Sequence, residues 1–281
     1  MRFLSYKIFF IALFFINFFP LNSFAKQSIF EIAYEVSSYT YKEPHLSNPI
    51  SLKGNKQGVS IFSKSYGLWG NEINSSSFEF RYMSGKTDYN GWMCSGEICT
   101  PFEYSGIQDY YLEGTAKMGR IFYNQEDLQI EGNLGLGYRY LKDNLQSIGA
   151  GGYLRKSRYI YVPFEAIFKY KTSESFGITL KTEFDWLLSG EQYSGKIAGY
   201  SDSTDVSHRQ EQGYGLRASL KLSSLVHNME FFVEPFWRYW HIQNSEPEYQ
   251  YVQIGGDWYQ QLTYEPFNTT QEYGVKIGIG L

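Results

Sequence analysis

The stretch Leu128–Tyr140, LQIEGNLGLGYRY, decides the fold because its side chains alternate in character with a period of two. One phase is apolar and ends in aromatic residues: Leu128, Ile130, Gly132, Leu134, Leu136, Tyr138 and Tyr140. The other phase is polar, charged or glycine: Gln129, Glu131, Asn133, Gly135, Gly137 and Arg139. Successive side chains of a β-strand point to opposite sides of a sheet, whereas a helix needs a spacing near 3.6. The run also exceeds an ordinary strand of about 5–6 residues and suits an oblique membrane crossing of about 9–11. It predicts a transmembrane strand with one face toward lipid.

The same alternation recurs along the chain and predicts about ten strands. They centre on Phe30–Val36, 58–66, Phe78–Tyr82, Tyr110–Met118, Leu128–Tyr140, Ile160–Phe168, Phe176–Leu188, Tyr214–Leu222, Phe231–Tyr239 and Tyr273–Leu281. Short connectors alternate with long ones, and the long ones are residues 42–56, 88–107, 142–157, 189–212 and 243–267. Short periplasmic turns and long external loops are typical of outer-membrane barrels. The predicted fold class is all-β, a transmembrane antiparallel up-and-down β-barrel of about ten strands.

The N-terminus reads as an export signal. A basic start is followed by the apolar run Ile8–Phe19 and by the small residues Ser23 and Ala25. This run is shorter than the ~20 residues of a spanning helix, so a cleaved signal peptide is preferred to an anchor. We expect residues 1–25 to be removed and residues 26–281 to form one barrel domain in the outer membrane of a Gram-negative bacterium.

The composition agrees with a membrane barrel. Aromatic residues make up 19% of the chain, with 26 Tyr and 22 Phe, and no apolar run after the signal is long enough for a spanning helix. The net charge of −4 gives no indication of a nucleic-acid partner. About ten strands leave an interior that side chains can fill, so we expect charged lumen residues in ion pairs rather than a wide pore. Pro163 and Pro235 fall inside strands, where we expect local bulges.

Several segments resemble a family of proteobacterial outer-membrane barrel proteins. These segments are SFEFRYMSGKTDY, GLGYRYLKDNLQ, GYGLRASLKL and VEPFWRYW. The final strand 273–281, YGVKIGIGL, resembles the C-terminal signature of such barrels, with Leu281 where an aromatic residue is usual. The resemblance implies contact with outer-membrane lipid and delivery to the barrel-assembly machinery through residues 273–281. In strand number and loop layout, the chain also resembles the ten-stranded omptin surface proteases.

The omptin resemblance suggests candidate catalytic residues only as an alternative. Omptins carry an Asp-x-Asp pair on one external loop and an Asp-x-His pair on another, and such groups can together activate a water. This chain has Asp88 followed by Asn90, an amide that cannot act as a base, and Asp205 three residues before His208. The pattern is half present, so the prediction is no catalytic site, no metal site and no cofactor.

The two cysteines lie close together in MCSGEIC. Since an exported chain meets an oxidising environment, we expect a disulfide between Cys94 and Cys99. Free thiols are the alternative.

Two further external segments suggest binding. Lys142, Arg155, Lys156 and Arg158 surround the third external loop, where cations suit lipopolysaccharide phosphates, although a solvated basic loop fits equally. Loop 243–267 is rich in aromatic residues, which are common at binding surfaces, although extension of the barrel above the membrane is the preferred interpretation. These aromatic residues are Tyr249, Tyr251, Trp258, Tyr259 and Tyr264. The favoured role is structural or surface-binding, through lipopolysaccharide or an external ligand. An omptin-like protease and a narrow channel are the alternatives.

Overall fold

The computed structural model describes residues 27–44, 47–67, 73–95, 98–149, 152–196, 203–254 and 256–281. The predicted signal peptide, residues 1–25, and His45 lie outside these ranges. Within them, no helix combines the length and the apolar character that crossing a bilayer requires. In the described part of the chain, one turn of 3-10 helix, Leu145–Ile148, accompanies thirteen strands.

The strands account for most of the described chain. They are β1 (Gln27–Glu43), β2 (Ile50–Tyr66), β3 (Asn74–Ser95), β4 (Ile98–Gln125), β5 (Leu128–Asn144), β6 (Leu154–Lys171), β7 (Phe176–Ser194), β8 (Val206–Gln210), β9 (Gly213–Val226), β10 (Met229–Ile242), β11 (Glu248–Ile254), β12 (Asp257–Thr263) and β13 (Asn268–Gly280).

Ten of these strands close into one antiparallel barrel. The hydrogen-bonded order is β6-β5-β4-β3-β2-β1-β13-β10-β9-β7, and β7 pairs again with β6 to complete the ring. The first and last strands meet, with Glu31 opposite Gly280. β7 pairs with β9 over its first half and with the short β8 near its external end. β11 and β12 form a separate hairpin. The predicted fold class is confirmed.

The predicted long loops are largely strand. β3 and β4 run for 22 and 28 residues and continue pairing to Ser95 and Ile98, through most of the stretch 88–107 that the sequence predicts to be a loop. Both exceed the ~9–11 residues that cross a bilayer. Each strand pairs with its neighbour beyond the membrane, so backbone hydrogen bonds extend the barrel wall outward.

The alternation in Leu128–Tyr140 has the orientation that the sequence predicts. Leu134 is 51% exposed on the outer wall, whereas Glu131 and Arg139 are buried in the lumen. On the outer wall, the rings of Tyr82, Tyr110 and Tyr140 follow one another with centroids 6.0 and 6.1 Å apart. Aromatic rings of this kind mark the membrane–water boundary of barrels. We call these three tyrosines the girdle.

Glycine in the lumen phase makes room for larger side chains from neighbouring strands. A Cβ on Gly137 would lie 2.1 Å from the ring of Tyr161. Tyr161 is itself fully buried and faces Gly137 across the β5–β6 ladder. Small residues therefore alternate with large ones inside the barrel, as close packing requires.

The two strand prolines interrupt a ladder without shifting its register. β6 pairs with β5 on both sides of Pro163 but not at Pro163 itself, and β10 leaves the same gap toward β9 at Pro235. Each proline still faces a partner on its other side, Asp185 or Val275. The predicted bulges do not occur at the prolines themselves; the nearest register shift lies between Ile160 and Tyr161, on the side of β6 that faces β7. Proline lacks a backbone N–H, so it loses a hydrogen bond to one neighbouring strand only. The other ladder stays intact, and the strand does not need the extra residue that a bulge would insert.

Candidate functional site

Three cations form a strip on the outer wall of β5 and β6, on the external side of the girdle. Lys142 and Lys156 lie directly opposite each other across the ladder. Arg158 lies opposite Tyr140, and its Nη1 is 4.0 Å from Glu191 Oε2, with both side chains more than a third exposed. An exposed pair at this distance contributes little stability. We call Lys142, Lys156 and Arg158 the basic strip.

The two lysines of the basic strip lie over aromatic rings. Lys142 Nζ is 5.7 Å from the ring centre of Tyr110, and Lys156 Nζ is 5.1 Å from that of Tyr193. Like charges directly opposite each other on a sheet destabilise it. Tyr110 lies on β4 and Tyr193 on β7, on either side of the pair, so the two ammonium groups extend away from each other, which reduces that repulsion. Both side chains are long, and turning them toward a shared anion would place it between two cations. The arrangement therefore suits a phosphate approaching from the membrane surface.

Arg155 does not belong to this strip, which corrects the prediction from sequence. Its side chain is buried inside the barrel, where Nε donates to Asp143 Oδ2 at 2.8 Å and Nη1 to Glu43 Oε1 at 3.3 Å. Residues 156 and 158 of β6 face outward, whereas 155 has the opposite parity and faces inward. The four cations are close together in the sequence, but the strands place three of them on the outer face of the wall and Arg155 on the inner face.

Arg155 instead anchors the segment that follows β12. Its Nη1 lies 3.7 Å from Glu265 Oε1, and the hydroxyl of Tyr41 is 3.2 Å from the same oxygen. Burial and the neighbouring charge of Glu43 raise the pKa of Glu265 to about 8, while Arg155 opposes this shift. Glu265 is therefore mostly protonated at neutral pH. Sequence reasoning missed Glu265 because it lies between strands, outside any alternating pattern.

The residues of the protease alternative do not come together. Asp88 is exposed on the outer face of β3, where its Oδ1 accepts the backbone N–H of Gly106 at 3.0 Å. Asp205 is exposed and accepts the hydroxyl of Tyr193 at 2.7 Å. His208 is buried on the inner face of β8. Around the barrel, β4, β5 and β6 separate β3 from β7, the strand that carries β8.

His208 makes a structural contact with the β11–β12 hairpin. Its Nε2 is 3.0 Å from Thr263 Oγ1, and burial lowers its pKa, so the ring is neutral at pH 7. Of the other histidines, His241 stacks on Tyr214 with centroids 4.9 Å apart, and His227 lies in the β9–β10 turn. Within the described ranges, no group of three or more His, Cys, Asp or Glu side chains could hold a metal ion.

Charged side chains of both signs fill the middle of the lumen. Glu35 accepts hydrogen bonds from Arg81 at 3.1 Å and from Arg238 at 2.8 Å. Glu113 pairs with both Arg81 and Arg217. Arg81 and Glu113 are directly opposed on the neighbouring strands β3 and β4, whereas the contact of Glu113 with Arg217 crosses the lumen from β4 to β9. The predicted ion-pair network is confirmed, and Glu35 and Glu113 each have two cationic partners, as burial of a charge requires.

An apolar layer continues the filling toward the external end. It consists of Met83, Tyr111, Leu141, Tyr159, Tyr161, Leu187, Trp240 and Ile242. Trp240 lies near its centre and contacts the rings of Tyr159 and Tyr161 at centroid distances of 6.2 and 5.1 Å. A cavity of about 50 Å³ lies within the charged network. It has room for one or two waters.

The cysteines face each other near the tip of the β3–β4 hairpin. Cys94 and Cys99 are directly opposed in the antiparallel ladder. Opposed residues have Cα atoms about 4.5–5.5 Å apart, within the range of about 4.4–6.8 Å for disulfides. This register supports the predicted bond between them, which remains a prediction.

The β11–β12 hairpin presents one uncharged, aromatic face. Directly opposed pairs share a face, and those on this one are Tyr249 with Leu262, Tyr251 with Gln260, and Gln253 with Trp258. Tyr249, Tyr251, Trp258 and Leu262 are between 46% and 60% exposed. The acidic side chains of Glu248 and Asp257 lie in the opposite phase. We call this surface the aromatic face.

Comparison with known proteins identifies the fold but no family. No protein-family model matches the chain, and no curated protein sequence does either. The structure resembles the outer-membrane protease OmpT from Escherichia coli, with a TM-score of 0.66, 11% sequence identity, and coverage of 91% of this chain and 96% of that one. The translocator domain of the autotransporter NalP from Neisseria meningitidis matches with a TM-score of 0.40 at 10% identity, covering 95% and 96%. The chain thus has the fold of an outer-membrane β-barrel with omptin-like architecture.

Proposed function

We propose that this protein is a surface barrel of the bacterial outer membrane that binds lipopolysaccharide through the basic strip. The supporting observation is the rung on which Lys142 and Lys156 face each other, outward and beyond the girdle. The phosphates of lipid A lie at the level of the membrane boundary, where the girdle also lies. The two lysine side chains can turn from the rings of Tyr110 and Tyr193 toward such a phosphate, and Arg158 adds a bidentate donor.

The position of the strip on the wall favours a lipid over a soluble ligand. The outer residues that precede Lys142 on β5 are Tyr140, Tyr138, Leu136 and Leu134, which grade from aromatic to aliphatic toward the membrane middle. Acyl chains bound along these side chains would place a headgroup phosphate beside the lysines. The role proposed for the barrel is therefore structural and surface-binding.

The test is a comparison of two double variants in detergent. Lys142→Ala with Lys156→Ala removes the opposed pair, whereas Lys53→Ala with Lys86→Ala removes two exposed lysines of β2 and β3 on another wall. Hydrogen bonds to charged groups contribute about 1.5–3 kcal/mol, so the first variant should bind lipid A at least about tenfold more weakly. The control should bind normally. Equal binding by both variants, or equal affinity for dephosphorylated lipid A, would refute the proposal.

The alternatives of an omptin-like protease and a narrow channel have less support. Asp88, Asp205 and His208 do not converge on one site, and the apolar layer around Trp240 occupies the lumen. For the route to the membrane, we infer that the last strand, which ends in residues 273–281, is recognised by the barrel-assembly machinery. A gel-mobility shift on heating, measured on outer-membrane fractions, would support a location in the outer membrane.

A further inference from the structure

We propose that the aromatic face of the β11–β12 hairpin binds the oligosaccharide of lipopolysaccharide. This inference rests on the proposed function, since the basic strip would hold the phosphorylated lipid from which the oligosaccharide extends. One ligand would then make two contacts: phosphate on the barrel wall and sugar on the hairpin.

The chemistry of the face matches a sugar. Tyr249, Tyr251 and Trp258 present ring surfaces, whose negative charge density attracts the polarised C–H groups on one side of a pyranose. Gln260 lies among them on the same face, and its amide offers both donors and an acceptor for hydroxyl groups. The Nε2 of Gln253 donates to the carbonyl of Gly256 at 2.9 Å, and its amide oxygen is a further acceptor on this face. A two-stranded ribbon is narrow and seven residues long on each strand, so an extended chain of sugar rings can lie along it.

The charge of the hairpin indicates a neutral part of the ligand. The aromatic face carries no ionisable group other than its tyrosine hydroxyls, while Glu248 and Asp257 lie in the opposite phase. An acidic ligand would be repelled by the carboxylates of Glu248 and Asp257. A basic ligand would bind to the face of the hairpin that carries these carboxylates. Uncharged hydroxyl-rich rings fit the aromatic face best.

A continuous series of contacts joins the basic strip to this face. Lys156 lies over the ring of Tyr193, and the Tyr193 hydroxyl donates to Asp205 at 2.7 Å. The preceding residue, Thr204, donates its backbone N–H to the carbonyl of Tyr251 at 2.9 Å. The hairpin therefore lies on the same side of the barrel as the strip, and farther outward. An oligosaccharide leaving the strip would pass directly along it.

The hairpin is also held in place before any ligand arrives. Gln250 Nε2 donates to the carbonyl of Thr204 at 2.8 Å, and a β-bridge joins Val252 to Ser203. At the base, Thr263 contacts His208 at 3.0 Å. A preorganised surface loses less entropy on binding than a mobile loop. These anchors leave the aromatic face exposed while fixing its direction.

The experiment uses the full chain in detergent micelles and lipid-free core oligosaccharide. This probe is released by mild acid from the lipopolysaccharide of the bacterium that makes the protein. Calorimetry should show binding to the wild-type chain, and Trp258→Ala with Tyr251→Ala should weaken it about tenfold or more. Tyr259→Ala, on the opposite face of the same hairpin, is the matched control and should bind normally. Heat-shifted gel mobility verifies that each barrel is folded.

The lysine variants separate this inference from the proposed function. Lys142→Ala with Lys156→Ala should lose lipid A binding and still bind the oligosaccharide, since the probe has no lipid A phosphate. If only lipid A binding is found, the proposed function stands and the inference fails. Failure also follows if Tyr259→Ala weakens binding as much as Trp258→Ala with Tyr251→Ala. A dimer that these two substitutions dissociate, or a peptide bound along β12 in place of sugar, would likewise overturn it.

Discussion

The ring of Tyr161 occupies the space above Gly137, where a Cβ would come within 2.1 Å of a ring carbon. Tyr161 also contacts the indole of Trp240 at a centroid distance of 5.1 Å, so its position sets the packing of the apolar layer. The absence of a side chain at Gly137 thus allows Tyr161 to pack in the interior of the barrel.

Gly137→Val should impair barrel folding. The added side chain would displace Tyr161, and overpacking a core costs about 1–3 kcal/mol. Gly114→Ala on the adjacent strand is the control, because its nearest new contact would be an ordinary 3.9 Å. Urea titration in micelles, read as the fraction that shifts on heating, should show a lower midpoint for Gly137→Val only. Equal midpoints for the two variants would mean that the interior of the barrel accommodates the larger side chain without loss of stability.

A charge on the outer wall should be costly in proportion to its depth. Leu134 is 51% exposed in the middle of β5, and Val226 is 45% exposed beside the β9–β10 turn. Arginine costs about 2–4 kcal/mol at the middle of a bilayer and about 0–1 near its boundary. Leu134→Arg should therefore reduce folding into lipid vesicles far more than Val226→Arg. The same loss for both would place the membrane elsewhere on the barrel.

Cys94 and Cys99 should be joined in protein taken from intact cells. Their opposed positions on β3 and β4 suit a bond across the ladder. Mass spectrometry of a non-reduced digest should find one cross-linked peptide, which reduction separates. Complete alkylation of both thiols without a reductant would contradict the prediction.

The attachment of the segment 243–267 should weaken as the pH rises. Folding raises the pKa of Glu265 to about 8 from an ordinary value of about 4.5, so the folded state binds the proton more strongly. The stability of the docked segment should then fall from about pH 4.5 to about pH 8 and level off above. Hydrogen exchange of residues 243–267 measures this. Glu265→Gln, which stays neutral, should remove the dependence in that interval.

The barrel should not cleave peptides. Asp88 and His208 lie on different strands and opposite faces, and His208 is buried against Thr263. Refolded protein should leave peptides with basic sites intact, with or without lipopolysaccharide. Cleavage that Asp88→Ala or His208→Ala abolishes would restore the protease alternative.

The sequence predicts the wall of the barrel better than its outer end. Alternation is imposed by a lipid outside and packed charges inside, so the period of two alone is enough to place Leu134 outside and Glu131 inside. Beyond the membrane, both faces meet water or other side chains. Asp88, for example, lies at a bulge between Thr87 and Tyr89, where the register shifts. The sequence pattern of such stretches predicts loops, although their backbones are paired with neighbouring strands.

The candidate site can be predicted only in part for a similar reason. Lys142, Lys156 and Arg158 can be predicted because they cluster around the third external loop. Arg155 is grouped with them by closeness in sequence, although parity places it inside, and its contact with Glu265 joins positions 110 residues apart. Long-range pairs of this kind follow from strand order and register, which a single sequence does not display.

The pairing of β1 with β13 ties the completion of the wall to the arrival of the last residues. Glu31 meets Gly280, so this seam has nearly the greatest sequence separation that the chain allows. Until it forms, β1 and β13 each present a row of unpaired backbone groups, which hydrocarbon does not tolerate. A chain that is still being inserted would therefore need these two strand edges to be shielded from lipid until they pair. Closing this seam removes the last two unpaired strand edges of the wall at once.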